Sequence, residues 1–287
     1  MYKREHIPFQ NFGDFLYWWI EKQRLTDQAQ EILLSYYSNY KKDFCGYLKK
    51  AWNDRHVELD EGLTRFKSNE NINILDLGCG TGSVSLYLAY RLQGKGKILG
   101  IDINRERLFC ATERLKILRA EIKKDLDCDF RLENIIDFSP NTKFDLIYME
   151  ETFHHLEPRM KVIKKIKQIL KENGLLIISE VNALNPLMQA LMFKRRGLKT
   201  IVEKIDEQGN SILYGNERII APNELAKLFH VNGLGHISTR YFRLFNSSFA
   251  GIFGRYWDLM TIEKRLLRVG ILKYLFTIHY NSVFTNI

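Results

Sequence analysis

The stretch Ile74-Leu75-Asp76-Leu77-Gly78-Cys79-Gly80-Thr81-Gly82-Ser83-Val84-Ser85-Leu86-Tyr87-Leu88-Ala89 decides how this chain folds. An apolar run from Ile72 to Leu77 enters a turn holding three glycines and leaves it as a segment of helical character. A glycine-rich turn between a strand and a helix lets the backbone pass close to a ligand at the edge of an open α/β sheet. The spacing here is G-x-G-x-G. It lacks the G-x-G-x-x-G arrangement that seats a pyrophosphate on a helix N-terminus. Asp76 stands two residues ahead of Gly78. Its carboxylate repels a pyrophosphate and suits a ligand that carries positive charge.

Outward from this turn, short apolar runs alternate with charged helical stretches, which predicts a largely parallel sheet with crossover helices. Strands are expected at Ile72 to Leu77, Lys97 to Ile103, Phe130 to Ile136, Phe144 to Met149 and Leu175 to Val181. Helices are expected at Gly82 to Leu92, Arg105 to Lys124 and Pro158 to Glu172, the last stopped by Asn173-Gly174. The rhythm breaks over 182–216, where a Leu-Met-Phe stretch, a KRRG turn and a polar DEQGN loop read as an inserted helical cap. It resumes with a helix from Pro222 to Val231 and strands near His236 to Phe242 and Phe276 to Phe284, with a basic amphipathic helix from Phe253 to Leu275 between them. Upstream, Leu16, Trp19 and Ile20, then Ile32, Leu33, Tyr36 and Tyr37, recur at spacings of three and four. Residues 1–70 therefore read as an N-terminal helical lid, and 71–287 as the α/β domain.

Two further positions follow from the sheet pattern. Asp102 ends the second expected strand, twenty-four residues after Gly78. That is a little beyond the ~20 at which an acidic residue meets a ribose. A carboxylate there accepts hydrogen bonds from both ribose hydroxyls, unless it serves as a helix cap, a task for which Asn104 is equally suited. Ile103 would then lie against an adenine face.

Taken together, these residues resemble the class I S-adenosylmethionine-dependent methyltransferases, over roughly Asn71 to Val181, and within them the small-molecule branch. The resemblance implies a Rossmann-like, seven-stranded, mostly parallel sheet whose final strand is antiparallel. It implies S-adenosylmethionine as cofactor, with Asp76 near the sulfonium and ammonium, and Gly78, Cys79, Gly80 and Gly82 as the binding turn. In similar methyltransferases a polar residue eleven positions before the Phe-Asp of the fourth strand reaches the adenine amino group, which gives Glu133 on counting back from Phe144. The family usually has Asp-Ala there, so Glu133, Asn134 and Asp137 all remain open. The run Phe144 to Pro158, with His154-His155-Leu156, is similar to the fourth motif of the small-molecule branch. It lacks the Asn-Pro-Pro-Tyr or Asp-Pro-Pro-Tyr of DNA amino-methyltransferases.

His154 and His155 follow the C-terminal edge of the fourth strand, where ligands gather in open α/β sheets, and are candidate bases together with Glu151 and Glu150, unless Glu150 simply faces the cofactor. A histidine near its ordinary pKa of ~6.5 takes a hydroxyl proton as a methyl group is transferred. The alternative is structural, with one imidazole bonded to backbone and the other packed beneath it. Glu180 and Asn182 line the same edge, either to orient a hydroxyl or to form the turn before Asn185-Pro186.

Composition bounds the rest. The chain has 287 residues, 45% hydrophobic and 27% charged, which is ordinary globular usage. The opening MYKREHIPFQNFGDF lacks the order of a secretory signal, and no apolar run reaches the ~18 residues of a membrane span, so a cytoplasmic protein is expected. Cys45, Cys79, Cys110 and Cys128 form no C-x-x-C pair. Four free thiols and no metal site are expected. Net charge is +9, and from Lys194 onward fourteen Lys or Arg face seven Asp or Glu. Such a surface favours an anionic partner, or is merely a soluble cationic face.

The function read from this is methyl transfer to a small-molecule acceptor, at an oxygen of a lipid-like, quinone-like, sugar or natural-product substrate. Trp18, Trp19, Leu187, Met188, Leu191, Met192 and Phe193 suggest an apolar acceptor pocket, with core packing the more frequent fate of such residues. The helix WDLMTIEKRLLRVGILKYLF suits peripheral contact with an anionic membrane, or core packing. Two alternatives from other classes are an RNA or DNA methyltransferase using the basic C-terminal third, and a non-catalytic S-adenosylmethionine-binding protein.

Overall fold

In a computed structural model, residues 9–22, 25–37, 46–66, 71–207, 209–254 and 256–287 are described. Before the sheet come α1 (Phe12–Lys22), α2 (Asp27–Tyr37), α3 (Tyr47–Arg55) and α4 (Val57–Arg65). The sheet domain begins β1 (Ile72–Leu77), α5 (Ser83–Leu92), β2 (Gly96–Asp102), α6 (Arg105–Ile122), β3 (Cys128–Leu132) and β4 (Phe144–Glu150). It continues with α7 (Arg159–Ile169), β5 (Leu170–Val181), α8 (Pro186–Arg196), β6 (Ile201–Ile205), β7 (Ser211–Gly215) and α9 (Pro222–His230). The chain closes with β8 (Leu234–Phe242), α10 (Ser247–Phe253), α11 (Leu259–Leu266), α12 (Gly270–Phe276) and β9 (His279–Asn286).

Seven strands form one sheet in the order β3-β2-β1-β4-β5-β9-β8, parallel except where β9 runs antiparallel to both β5 and β8. The order reverses at β1, between β2 and β4, which opens a crevice at the strand C-termini. Alternate residues of each central strand point to opposite faces. Ile74, Leu146, Tyr148, Leu175 and Ile177 join one core cluster with α1, α2, α5 and α6, while Leu75, Ile147, Met149, Leu176 and Ile178 join another with α7 and α9. Both faces of the sheet are thus covered, which explains why its strands read as near-continuous apolar runs.

The expected elements are present, with four differences. The helix after Pro158 ends at Ile169 and the strand has already begun at Leu170, because Phe144 pairs with Leu170 before a register shift. Asn173, at φ 59°, and Gly174 make an irregularity inside β5 in place of a helix stop. The third strand starts and ends earlier than expected, so Glu133 to Ile136 lie in the loop that follows it. The inserted cap holds the expected helix, α8, and adds an antiparallel hairpin, β6–β7. The single basic helix expected over Phe253 to Leu275 is two short helices, α11 and α12, begun at the caps Asp258 and Val269, and α10 ends where it was expected to start.

The N-terminal helices are knitted into the main core. Trp18 and Trp19, for which sequence left an acceptor pocket and core packing open, are buried in the cluster on the sheet face. Arg240 on β8 pairs with Glu58 on α4, and the Asn281 amide on β9 donates to the Arg55 carbonyl at 2.8 Å. These contacts bind α3 and α4 to the antiparallel edge of the sheet. Cys79, Cys110 and Cys128 are free and buried; Cys45 lies outside the described residues.

Candidate active site

The glycine turn is fastened to the end of β2, where the N–H groups of Gly78 and Cys79 both donate to the Ile101 carbonyl, at 2.8 and 3.0 Å. Gly78, Gly80 and Gly82 have φ of 76°, 53° and 76°. That left-handed backbone is costly for residues with a Cβ. The reasons for glycine then diverge. A Cβ on Gly78 would strike Thr152, and one on Gly82 would lie 2.8 Å from Ala111 and Phe130, whereas one on Gly80 would meet nothing within 4 Å. Gly80 borders open space, the cavity described next.

That cavity has a volume of about 590 Å³ and runs along the C-terminal edge of the sheet. At one end it is walled by Asp76, Gly78, Cys79, Gly80, Asp102, Ile103, Glu133 and Asn134. Every cofactor-binding residue expected from sequence lies on its wall except Gly82, which shapes the turn from behind. Asp102 accepts hydrogen bonds from Gly80 N–H on one oxygen (2.8 Å) and Asn104 N–H on the other (2.9 Å). Asn104 itself caps α6 by accepting from Arg107 N–H, so Asp102 does not serve as the helix cap. Each carboxylate oxygen keeps lone-pair capacity toward the cavity. The Asn134 side chain shapes its own loop by accepting from Ile136 N–H, and Asp137 sits outside the main cavity. Cys79 is buried, and burial pushes its thiol well above the usual range, so it is a wall and not a nucleophile.

Asp76 is almost fully buried and accepts from both Ser85 N–H (3.0 Å) and Ser85 Oγ (2.6 Å) on one oxygen. Burial outweighs those bonds and raises its pKa to about 7, with Glu150 and Asp102 adding repulsion. Glu150 has both oxygens engaged: Arg55 at 2.8 Å on one, His56 at 2.9 Å and the Tyr148 hydroxyl at 3.1 Å on the other. Burial opposes its ionisation, yet Arg55 and then His56 hold its pKa down at about 2. Glu151, in left-handed backbone at φ 46°, pairs with Arg55 at 2.7 Å and with His279 at 2.9 Å. Against the effect of burial, those partners keep it ionised far below the usual carboxylate range, and its charge is committed to Arg55 and His279.

The two adjacent histidines are separated by their partners. His154 is buried, with Nδ1 2.7 Å from the fully buried Glu180 and Nε2 3.9 Å from Glu217. Burial disfavours its imidazolium, but Glu180 beside it raises its pKa above the ordinary value. His155 donates from Nδ1 to the Gly215 carbonyl (2.9 Å) and stacks on Tyr214, with ring centroids 4.7 Å apart. Burial and the neighbouring His154 lower its pKa to about 4. A carbonyl can only accept, so Nδ1 of His155 carries the proton and Nε2 holds the lone pair. Asn182 is structural: its amide donates to the Tyr274 and Thr277 carbonyls.

Beyond the histidines, the cavity is lined by Met188, Leu191, Met192, Ile212 and Tyr214. Leu187 and Phe193, also expected there, face solvent at 69% and 55% exposure. Sequence reading missed Arg55, His56 and His279, which converge on Glu150 and Glu151 from α3, its C-terminal cap and β9. Their sole local signal is polar character in otherwise apolar or amphipathic segments. Among the described residues, no group of His, Cys, Asp and Glu is arranged to hold a metal ion.

A Rossmann-like sheet of this order, a G-x-G-x-G turn opening on its crevice and an acidic residue at the end of each of the first two strands define a class I S-adenosylmethionine-dependent methyltransferase fold. The chain belongs to that family: residues 68–233 match the model described as "Methyltransferase domain". It is 26% identical to (S)-coclaurine N-methyltransferase of Papaver somniferum, over 55% of this chain and 44% of that protein. It is 28% identical to a ubiquinone biosynthesis O-methyltransferase of Actinobacillus pleuropneumoniae, over 53% of this chain and 61% of that one. The chain therefore spans only about half the length of the curated relatives it matches. Its fold is similar to that of magnesium protoporphyrin IX methyltransferase from Synechocystis, solved with bound SAH (TM-score 0.52, 14% identity, 91% of this chain and all of that one). The residues present fit S-adenosylmethionine as the cofactor. Gly80 leaves a cradle that a side chain would fill, and the carboxylates around it complement a ligand bearing a sulfonium and an ammonium.

Proposed function

We propose that the chain transfers a methyl group from S-adenosylmethionine to a small molecule with a largely apolar body, at an oxygen. One observation carries this reading. The glycine turn, His154 and His155, and Met188, Leu191 and Met192 of α8 all line a single cavity. When bound, the cofactor supplies a methyl carbon activated by its sulfonium. Asp102 and Glu133 would hold the adenosine end, and Asp76 the charged amino-acid end. Arg55 holds Glu150 and Glu151 in place across the cavity floor. His155 would present Nε2 to the acceptor hydroxyl and take its proton as the methyl carbon passes from sulfur to oxygen, the C–S bond breaking as the C–O bond forms, while His154, clamped by Glu180, fixes the turn that carries it. Apolar side chains orient the acceptor for in-line attack, and such positioning supplies much of the acceleration.

Supporting this reading, the named relatives act on small molecules, and the DNA-type tetrapeptide is absent from the end of β4. The test is incubation with methyl-labelled S-adenosylmethionine and cell extract, followed by partition into organic, aqueous small-molecule, protein and nucleic-acid fractions. Label in the organic fraction is expected. Label confined to nucleic acid or protein would overturn the acceptor class.

A further inference from the structure

Two helices of the C-terminal half are packed as though water were not their intended surroundings. α12 reads Gly-Ile-Leu-Lys-Tyr-Leu-Phe, and none of its residues is buried. α8 reads Pro-Leu-Met-Gln-Ala-Leu-Met-Phe-Lys-Arg-Arg, and it buries Met192 alone. They lie side by side, joined where the Asn185 amide at the head of α8 donates to the Phe276 carbonyl at the end of α12, at 2.9 Å. Leu187, Leu198 and Ile271 are 69%, 87% and 64% exposed. Scattered apolar residues need no explanation, but an exposed apolar helix beside another marks an interaction surface.

The charge on this surface selects its partner. Residues 186–199, α8 and the turn after it, carry four Lys or Arg and no acid, although Arg195 pairs with Glu217, and α12 with the preceding turn adds Arg268 and Lys273 without an acid. Lys194, Lys199 and Arg268 are exposed, and Phe193 of α8 and Tyr274 of α12 are about half exposed. Apolar side chains, interfacial aromatics and a fringe of cations on short helices are the composition of a segment lying in an anionic lipid interface. Among the described residues, no helix is long and apolar enough to cross a membrane, so the fit is to lying on one.

We propose that the α8–α12 face docks on an anionic lipid bilayer. The cavity reaches this face, since Met188, Leu191 and Met192 of α8 form its wall. Docking therefore turns the acceptor end toward the lipid, and, on the reading of methyl transfer given above, the acceptor is drawn from the bilayer. Docking itself does not depend on that reading.

The experiment is co-sedimentation of the whole protein with phosphatidylcholine vesicles, with and without phosphatidylserine. It is repeated with Leu187→Asp/Ile271→Asp and with Lys194→Glu/Arg268→Glu, after circular dichroism melts establish that each variant folds. The native protein is expected to sediment with the anionic vesicles alone and to be released by salt. Each folded variant should partition at least about tenfold less. Should the apolar variant fail to fold, the charge-reversed one and the salt titration decide. No sedimentation, or sedimentation indifferent to charge, overturns the proposal. So does a native dimer in ultracentrifugation that the apolar variant converts to monomer, since the face would then be covered by a second copy.

Discussion

The imidazole of His155 is held by the carbonyl of Gly215, sixty residues away on the inserted hairpin, at 2.9 Å. Gly215 is needed there, because a Cβ would strike the His154 carbonyl. The hairpin thereby sets the tautomer of the histidine, leaving Nε2 as the acceptor. His155→Ala is expected to lower kcat about a hundredfold, the lower end of what a positioned base supplies. Affinity for S-adenosylhomocysteine should be unchanged by calorimetry. Because His155 is neutral above about pH 4, no loss of rate assignable to it is expected between pH 6 and 8. An inflection there that disappears in the alanine variant would contradict this assignment.

The three glycines of the turn separate into two kinds. Gly82→Ala should be destabilising by thermal melt, since its Cβ meets Phe130 and Ala111 in the packed core. Gly80→Ala bears only the backbone cost of a positive φ, roughly 1 kcal/mol, and places a methyl group in the cavity. It is expected to fold, with a small fall in Tm, and to lose at least about tenfold in cofactor affinity, the equivalent of ~1.4 kcal/mol. Normal affinity in Gly80→Ala would remove the cofactor from that cradle.

What was legible in the sequence was what is local. The run from Ile72 through Leu88 carries strand, turn and helix signals within a few residues of one another, and Asp102 follows from counting along the next strand. Boundaries decided by pairing were not. Leu170 joins β5 because Phe144 is opposite it, and nothing in Gln168-Ile169-Leu170-Lys171 says so. The hairpin left a partial trace in its polar loop, where Gly209 takes a φ of 85°, but the flanking IVEKI and SILYG are short and mostly exposed, so their apolar pattern is weak. Arg55 was invisible as a site residue because its carboxylate partners lie 95 and 96 positions further on. A contact of that range is specified by the fold, and the helix that bears it shows only amphipathic character.

Asp76 should make cofactor binding release or take up protons. With a pKa of about 7 before binding, it is partly protonated at neutral pH. A cationic amino-acid end beside it favours the carboxylate, so binding expels the proton. Affinity for S-adenosylhomocysteine is expected to rise from pH 6 to pH 8, by up to about tenfold per unit below the pKa. The heat of binding should depend on the ionisation enthalpy of the buffer. Asp76→Asn should abolish both effects; if they persist in the variant, the linked proton sits elsewhere.

Arg55 is the buried cation on which two carboxylates depend, with only 5% of its side chain exposed and one branch of its guanidinium on each of Glu150 and Glu151. Arg55→Met leaves the Glu150 charge partly buried with only His56 and Tyr148 against it. Breaking a buried pair from one side costs about 3 kcal/mol, so a fall in Tm of several degrees is expected. The pH dependence carries the sign. Glu150 titrates at about 2 in the folded protein against 4.5 for an ordinary glutamate, so its contribution to stability is fully present above about pH 4.5 and is lost as the pH falls toward 2. Denaturant melts of the native protein should therefore weaken steadily across that interval, and those of Arg55→Met should weaken less, because the group that depressed the pKa is gone. Parallel curves for the two proteins across pH 2 to 5 would mean that Arg55 does not hold Glu150 in its ionised form.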